Sequence, residues 1–259
     1  MKRLGTNPFY TPITSGRERL SSNLGVLGGR GAAEPTFTLT ATTTAAGQTV
    51  TLQRINPSED ITIDWGDGSA PEVVTSGNTA AKSHVYAAAG AYTLTLPYVT
   101  YAEIDIRDGK VGGTVDAANP FPSVTSYVIL HNLPGLTWTV SEATPFPSVT
   151  SNVTLYNLPG LTWGSGAAAN LHSVGEIVYE SSLSQAAVDA VLADLYSVFA
   201  ARTKAGTIDL LGGGNAAPTG TSPGSAECPP TTGWNTAYEL VNDSCDIAAF
   251  HWTSVSLQT

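Results

Sequence analysis

From Thr36 onward the chain alternates apolar and polar residues in short runs: TFTLTAT (36–42), QTVTLQRI (48–55), DITIDWGDGS (60–69) and SHVYAAAGAYTLTL (83–96). Alternation with a period of two, broken by turn residues, predicts a half-buried antiparallel sheet. The stretch is the size of a small β-sandwich.

After Pro97 the alternation becomes a repeat. PFPSVTSYVILHNLPGLTW (120–138) recurs 25 residues later as PFPSVTSNVTLYNLPGLTW (145–163), and the two copies differ only at 127/152, 129/154 and 131/156. Strand side chains point alternately to opposite faces. The constant Val128, Leu130, Val153 and Leu155 are therefore expected in a core, while Tyr127, Ile129, His131, Asn152, Thr154 and Tyr156 project outward. The outward strip is open to two accounts, drift or plain subunit packing on one side and a ligand-binding face on the other.

Carrying the period forward lays 146–158 over 171–183, with Val153 on Val178. Carrying it back sets Ile104 and Ile106 on Val128 and Leu130, and Asp108 on Asn132. About four coils of 24–25 residues follow, as in a parallel solenoid whose coils bury their apolar faces only by stacking. An asparagine ladder inside the solenoid, Asn132 above Asn157, is a further expectation. Beyond the repeat, Val188, Val191, Leu192, Leu195 and Phe199 have helical spacing with Ser184 as N-cap, which predicts a helix closing the apolar end of the stack. GTIDLL reads as a strand and PPTTGWNTAYELVND as a short helix. AAFHWTSVSLQ reads as a last strand. The organisation expected is an extended arm (1–35), a sandwich (36–97), a solenoid (98–183) and a helical cap with an α+β C-terminal module (184–259).

Composition agrees with a mainly β chain: 259 residues carry 26 glycines and 16 prolines, and only 12% are charged. Charge changes the picture more. Lys2, Arg3, Arg17, Arg19 and Arg30 oppose only Glu18 and Glu34 in the first 36 residues, whereas the remainder holds 6 basic and 19 acidic groups. A basic arm on an acidic body points to docking on an acidic protein surface. A merely solubilising tail is the plainer alternative. The scattered cations lack the interleaved aromatics of a nucleic-acid surface, so no nucleic-acid partner is expected. The start shows no apolar segment of a secretory signal, which leaves a cytosolic protein, one exported by another route, or one assembled into a particle. Cys228 and Cys245 read equally as one local bridge or as two buried thiols.

The pairing of WGDGS (Asp64, Trp65, Gly66, Asp67 and Gly68 at its turn) with His84, Tyr86, Gly90 and Tyr92 resembles the PKD-type immunoglobulin-like domain over residues 36–97. The resemblance implies a β-sandwich spacer or adhesive module without enzymatic activity; the turn aspartates, by their own turn chemistry, read as structural. Two carboxylates are too few for calcium. The repeat is similar to the leucine-rich-repeat-like arrays of bacterial and tailed-phage proteins, although its V-x-L-x-N frame is one residue short of the usual spacing. The wording of LSQAAVDAVLADL, GGGNAAPTG, PPTTG and YELVND resembles the C-terminal module of predicted phage virion proteins.

Catalytic chemistry is sparse. The histidines His84, His131, His172 and His251 share no metal-ligand spacing, and neither a nucleophile elbow nor a phosphate-binding loop is present, so no metal, cofactor or catalytic residue is expected. The function expected is that of a non-enzymatic structural protein of a tailed-phage virion, a capsid decoration or head or tail fibre component. Its partners would be capsid or tail proteins bound through the arm, further copies of itself, and a host-surface glycan or protein, with no insertion into a membrane. A bacterial surface adhesin or glycan-binding protein, extracellular or on the cell surface, is the rival.

Overall fold

The computed structural model describes residues 35–259. The five arm cations Lys2, Arg3, Arg17, Arg19 and Arg30 lie outside the described residues. Among the described residues, seven strands precede residue 98: β1 (Thr36–Thr43), β2 (Gln48–Leu52), β3 (Arg54–Pro57), β4 (Ile61–Ile63), β5 (Glu72–Val74), β6 (Lys82–Tyr86) and β7 (Gly90–Pro97). The alternation decides their facing. In β1, Phe37, Leu39 and Ala41 are buried between the more exposed Thr36, Thr38, Thr40 and Thr42. QTVTLQRI forms two strands rather than one, because its buried positions Val50 and Leu52 are followed by Ile55 and the period slips at Gln53. Before the slip, β2 pairs with β6; after it, β3 joins a different sheet.

The repeat supplies β8 (Tyr101–Ile106), β9 (Val111–Val115), β10 (Val124–His131), β11 (Gly135–Val140), β12 (Asn152–Tyr156), β13 (Leu161–Trp163) and β14 (Glu176–Glu180). There follow α1 (Gln185–Ser197), β15 (Gly206–Asp209), α2 (Gly233–Asn242) and β16 (Trp252–Ser256). One sheet has seven strands in the order β16-β15-β14-β12-β10-β8-β3, parallel from β8 to β16, with β3 antiparallel at its edge. A second has five, in the order β13-β11-β9-β1-β7, and the pairs β2–β6 and β4–β5 form two small two-stranded sheets. Both large sheets therefore run across Pro97: β1 lends its edge to β9, and β3 pairs with β8. Sandwich and solenoid share one core.

Three coils, rather than about four, place a strand in each sheet. In the fourth, α1 follows β14 where a second-sheet strand stood in the coils before, and it packs beside β13 and α2. The helix flanks the stack, which continues through β15 and β16. Its start is as the sequence predicts, with the Ser184 hydroxyl accepting the N–H of Ala187 and Val188, Val191, Leu192 and Leu195 buried. Asp194 fixes it to the corner after β13, accepting from Trp163 Nε1 at 3.0 Å and from the N–H groups of Gly166 and Ala168 at 2.7 Å each.

Two features explain why the duplicated text tolerates so little change. An aromatic file runs through the interior as Phe37, Phe121, Trp138, Phe146, Trp163 and Tyr179, with successive ring centroids 5.4, 4.9, 4.9, 5.2 and 6.0 Å apart. Each copy contributes one Phe and one Trp, so altering one ring disturbs two neighbours. At the Leu-Pro-Gly corner the coils approach closely. A Cβ on Gly160 would lie 2.2 Å from the carbonyl oxygen of Leu136, which only glycine avoids.

The register confirms Ile104 beside Val128 and Ile106 beside Leu130. Val128 pairs with Val153 and Leu130 with Leu155, and all four are buried. Val178 departs from the period. Val153 pairs with Ile177, and Val178 stands beside Thr154 on the outward side. The coil drops one residue before β14 and regains it at Ser181, so that Leu158 and Leu183, 25 residues apart, are both buried. The asparagine ladder exists, but on an exposed corner instead of inside: Asn132 and Asn157 are exposed and left-handed, with φ 57° and 50°. Asp108 is no rung of it; its carboxylate accepts the N–H of Thr51 and of Lys110 and pairs with the Lys110 ammonium.

Candidate recognition face

The outward surface of the seven-stranded sheet is assembled in rows by its register. One row runs Asn56, Glu103, Tyr127, Asn152, Glu176, Thr207. The next runs Arg54, Asp105, Ile129, Thr154, Val178, Asp209, and a shorter one brings His131, Tyr156 and Glu180 side by side. All six residues read from the sequence as an outward strip therefore lie together on one face. Tyr127, Ile129, His131, Asn152 and Thr154 are half-buried by their neighbours, and Tyr156 is 38% exposed.

Stacking in register gives the strip its local order. The His131 and Tyr156 rings lie parallel, with centroids 4.5 Å apart, the cross-strand contact expected of directly opposed residues. Asn152 donates its amide N–H to the Thr154 hydroxyl at 3.2 Å. At the β3–β8 end, residues that the strip reading overlooked complete the face. The Arg54 guanidinium donates to Glu103 at 3.2 Å and stands 5.8 Å from the Tyr127 ring centre, and Asn56 donates to the same carboxylate oxygen. Arg107 grips Asp105 with two N–H groups at 2.7 and 2.9 Å, the planar bidentate pairing that lysine cannot make. These carboxylates hold both guanidinium pKa values above the ordinary one, chiefly through the hydrogen bonds themselves. Burial pushes the Tyr127 phenol up. The alternation in YAEIDIR was the available signal, since it sets Glu103, Asp105 and Arg107 on one side.

At the other end the character changes. Glu176, Glu180 and Asp209 form none of the ion pairs found among the described residues. The face thus grades from guanidinium–carboxylate pairs, through aromatic and aliphatic groups, to uncompensated carboxylates. The outer side of the five-stranded sheet is different again, presenting threonines such as Thr38, Thr40, Thr114, Thr137, Thr139 and Thr162. Such residues suit a solvent-facing strand.

The WGDGS turn is a structural hub. Asp64 accepts the N–H of Gly66 at 2.8 Å, Asp67 accepts that of Ser69 at 3.0 Å, and His84 Nε2 meets the second Asp67 oxygen at 2.7 Å. Trp65 stacks on His84, whose ring is nearly perpendicular to that of Tyr86, and the Tyr86 hydroxyl donates to the Trp65 carbonyl at 2.9 Å. Hydrogen bonds from Ser69 and His84 lower Asp67 to about 2, and burial pushes Tyr86 up to about 12. Gly66 and Gly68 both adopt positive φ, and a Cβ on Gly66 would strike the backbone of Thr93. Residues 36–97 match the PKD domain family. The PKD domain points to an extracellular or adhesion-type protein. No curated protein and no solved structure matches the chain. Among the described residues no helix is long and apolar enough to cross a membrane.

Cys228 and Cys245, left open by the sequence, are joined in a disulfide. His131 lies on the face and His84 in the PKD turn, while His172 and His251 join neither group.

Proposed function

We propose that the chain is a non-enzymatic structural protein of a tailed-phage virion, one that projects the graded face of its seven-stranded sheet toward a partner. The observation that carries this reading is the continuity of both sheets from the PKD domain into the solenoid. A hinge between the two would let the face swing, whereas sheets continuous through β1–β9 and β3–β8 pairing hold it fixed relative to the PKD domain. A stiff spacer ending in a ligand strip is the build of a decoration or fibre-like component. The strand–helix units after β14 are in keeping with a leucine-rich-repeat-like array, and the wording of residues 182–243 supports the virion setting. The basic arm would anchor the chain on capsid or tail proteins, and further copies and a host-surface glycan or protein would be its other partners. The particle would form in the host cytoplasm.

A bacterial surface adhesin is the second reading, and the Cys228–Cys245 bond favours it, because disulfides persist in oxidising surroundings. Immunogold electron microscopy with antibodies to the folded body separates the two. Label on gradient-purified tailed particles is the outcome expected, and label confined to the bacterial envelope would reject the virion reading.

A further inference from the structure

Cys228, Glu239 and Cys245 converge around α2. Cys228 precedes the helix, Glu239 sits on its buried side, and Cys245 follows it. The two sulfurs and a Glu239 carboxylate oxygen all lie within 4.8 Å of one another. Glu239 is 0% exposed, and its Oε1 accepts the N–H of Glu227 at 3.0 Å and the hydroxyl of Ser244. Its Oε2 is buried with no hydrogen-bond partner among the described residues. None of the ion pairs among the described residues involves Glu239. A buried carboxylate oxygen with nothing to bind is costly, and a native structure seldom keeps one without a use for it.

We propose that in the reduced protein Cys228, Cys245 and Glu239 hold a thiophilic divalent cation of the zinc type. Two thiolates and a carboxylate are a donor set suited to such an ion, with water in the fourth position of a tetrahedral site. Around zinc the ligand atoms stand roughly 3.5–3.8 Å apart, which the present spacing reaches by side-chain rotation once the sulfurs part. The Tyr196 hydroxyl, 3.4 Å from Cys245 Sγ, supplies the outer hydrogen bond that orients a metal-bound thiolate. A sequence scan misses this set because its members are 11 and 6 residues apart.

The exchange balances as two steps. A dithiol reductant attacks the disulfide at Cys228, the more exposed of the two residues; two electrons and two protons pass to the protein, giving two thiols while the reductant becomes a disulfide. The cation then displaces both thiol protons and binds two thiolates and the Glu239 carboxylate. The metal replaces the covalent bond as the tie between the two ends of α2. The C-terminal module is thereby clamped in a reducing cell by metal and in an oxidising medium by the disulfide.

The full-length protein, reduced with a phosphine and desalted anaerobically, is titrated with Co²⁺ and then Zn²⁺ against a chromophoric chelator. The result expected is one equivalent bound, with thiolate-to-cobalt charge-transfer absorption and tetrahedral d–d bands that Zn²⁺ abolishes. The oxidised protein binds none, and Glu239→Gln weakens zinc by roughly tenfold or more. Absence of stoichiometric binding to reduced protein overturns the proposal, as does unchanged affinity in Glu239→Gln or in a Cys228→Ser, Cys245→Ser double variant. If Glu239→Gln fails to fold, the cobalt spectrum of the wild-type chain decides, since two thiolates and tetrahedral geometry are read from it directly.

Discussion

Asn157 donates its side-chain amide N–H to the Oδ1 of Asn132 at 2.7 Å, across 25 residues of sequence and one coil of the solenoid. Both residues are left-handed, as is Ser182 a further 25 residues on, so the chain turns the same corner three times. Asparagine tolerates that conformation better than other non-glycine residues. Asn157→Ala should lose the bond and add backbone strain, at about 1–3 kcal/mol. Asn157→Gly should cost less, because it loses the bond but relieves the strain. Urea denaturation of the two variants checks the order; an alanine variant as stable as the glycine one would mean that φ is not what this corner demands.

Inside and outside positions alternate along β12, and two neighbouring substitutions separate them. Leu155 is fully buried between Leu130 and Tyr179, whereas Thr154 lies on the outward row. Leu155→Asp exchanges packing worth about 1.5–3 kcal/mol for a buried charge, and loss of the folded protein is expected. Thr154→Asp should keep the melting temperature within a few degrees. Circular dichroism melts decide, and equal damage from both would refute the facing assigned to the strip.

Much of this geometry was legible in advance because packing constrains alternate residues and leaves the others free. The three differences between the copies marked the outward strip, and the helical spacing from Val188 to Leu195 located α1. What stayed hidden was non-local. Nothing in QTVTLQRI says which sheet β3 will join, although the slip between Leu52 and Ile55 signals a break. The fusion of the PKD domain with the solenoid depends on β1 meeting β9 some 70 residues later, a pairing with no local signature. Val178 was misplaced because a one-residue deletion before β14 is made good after it, so that flanking matches preserve the period while the strand itself slips.

Asp67 links the PKD turn to pH. Its carboxyl is lowered to about 2 by hydrogen bonds from Ser69 and His84, whereas an unfolded aspartate titrates near 3.9. The ionised form is thus favoured by folding. Its contribution is complete above the unfolded value and fades as pH falls toward about 2. Asp67→Asn should be less stable at neutral pH and should flatten the acid limb of stability over that interval. Urea midpoints measured from pH 5 down to pH 2 test this; parallel curves for the two proteins would show that the turn does not carry the acid sensitivity.

Arg202 is the most exacting residue of the distal stack. Its guanidinium lies 3.5 Å from the centre of the Trp252 ring and donates to the carbonyl of Val174 at 3.1 Å and to that of Lys204, although it is only 4% exposed. Burial lowers its pKa to about 10, still well above neutrality, so it stays charged. Arg202 forms no ion pair among the described residues, so its charge is held by carbonyl oxygens and an aromatic face, and desolvated contacts of the latter kind reach about 2 kcal/mol. A planar guanidinium can stack on the ring and reach both carbonyls at once, which an ammonium cannot. Arg202→Lys should therefore destabilise by about 1–3 kcal/mol, and its first consequence should be release of β16, the edge strand that holds Trp252 against it. Hydrogen exchange should rise across 252–256 while β10 and β12 stay protected, and tryptophan fluorescence should shift to the red. Uniform loss of protection along the whole sheet would instead make Arg202 part of the global core, with no special hold on the last strand.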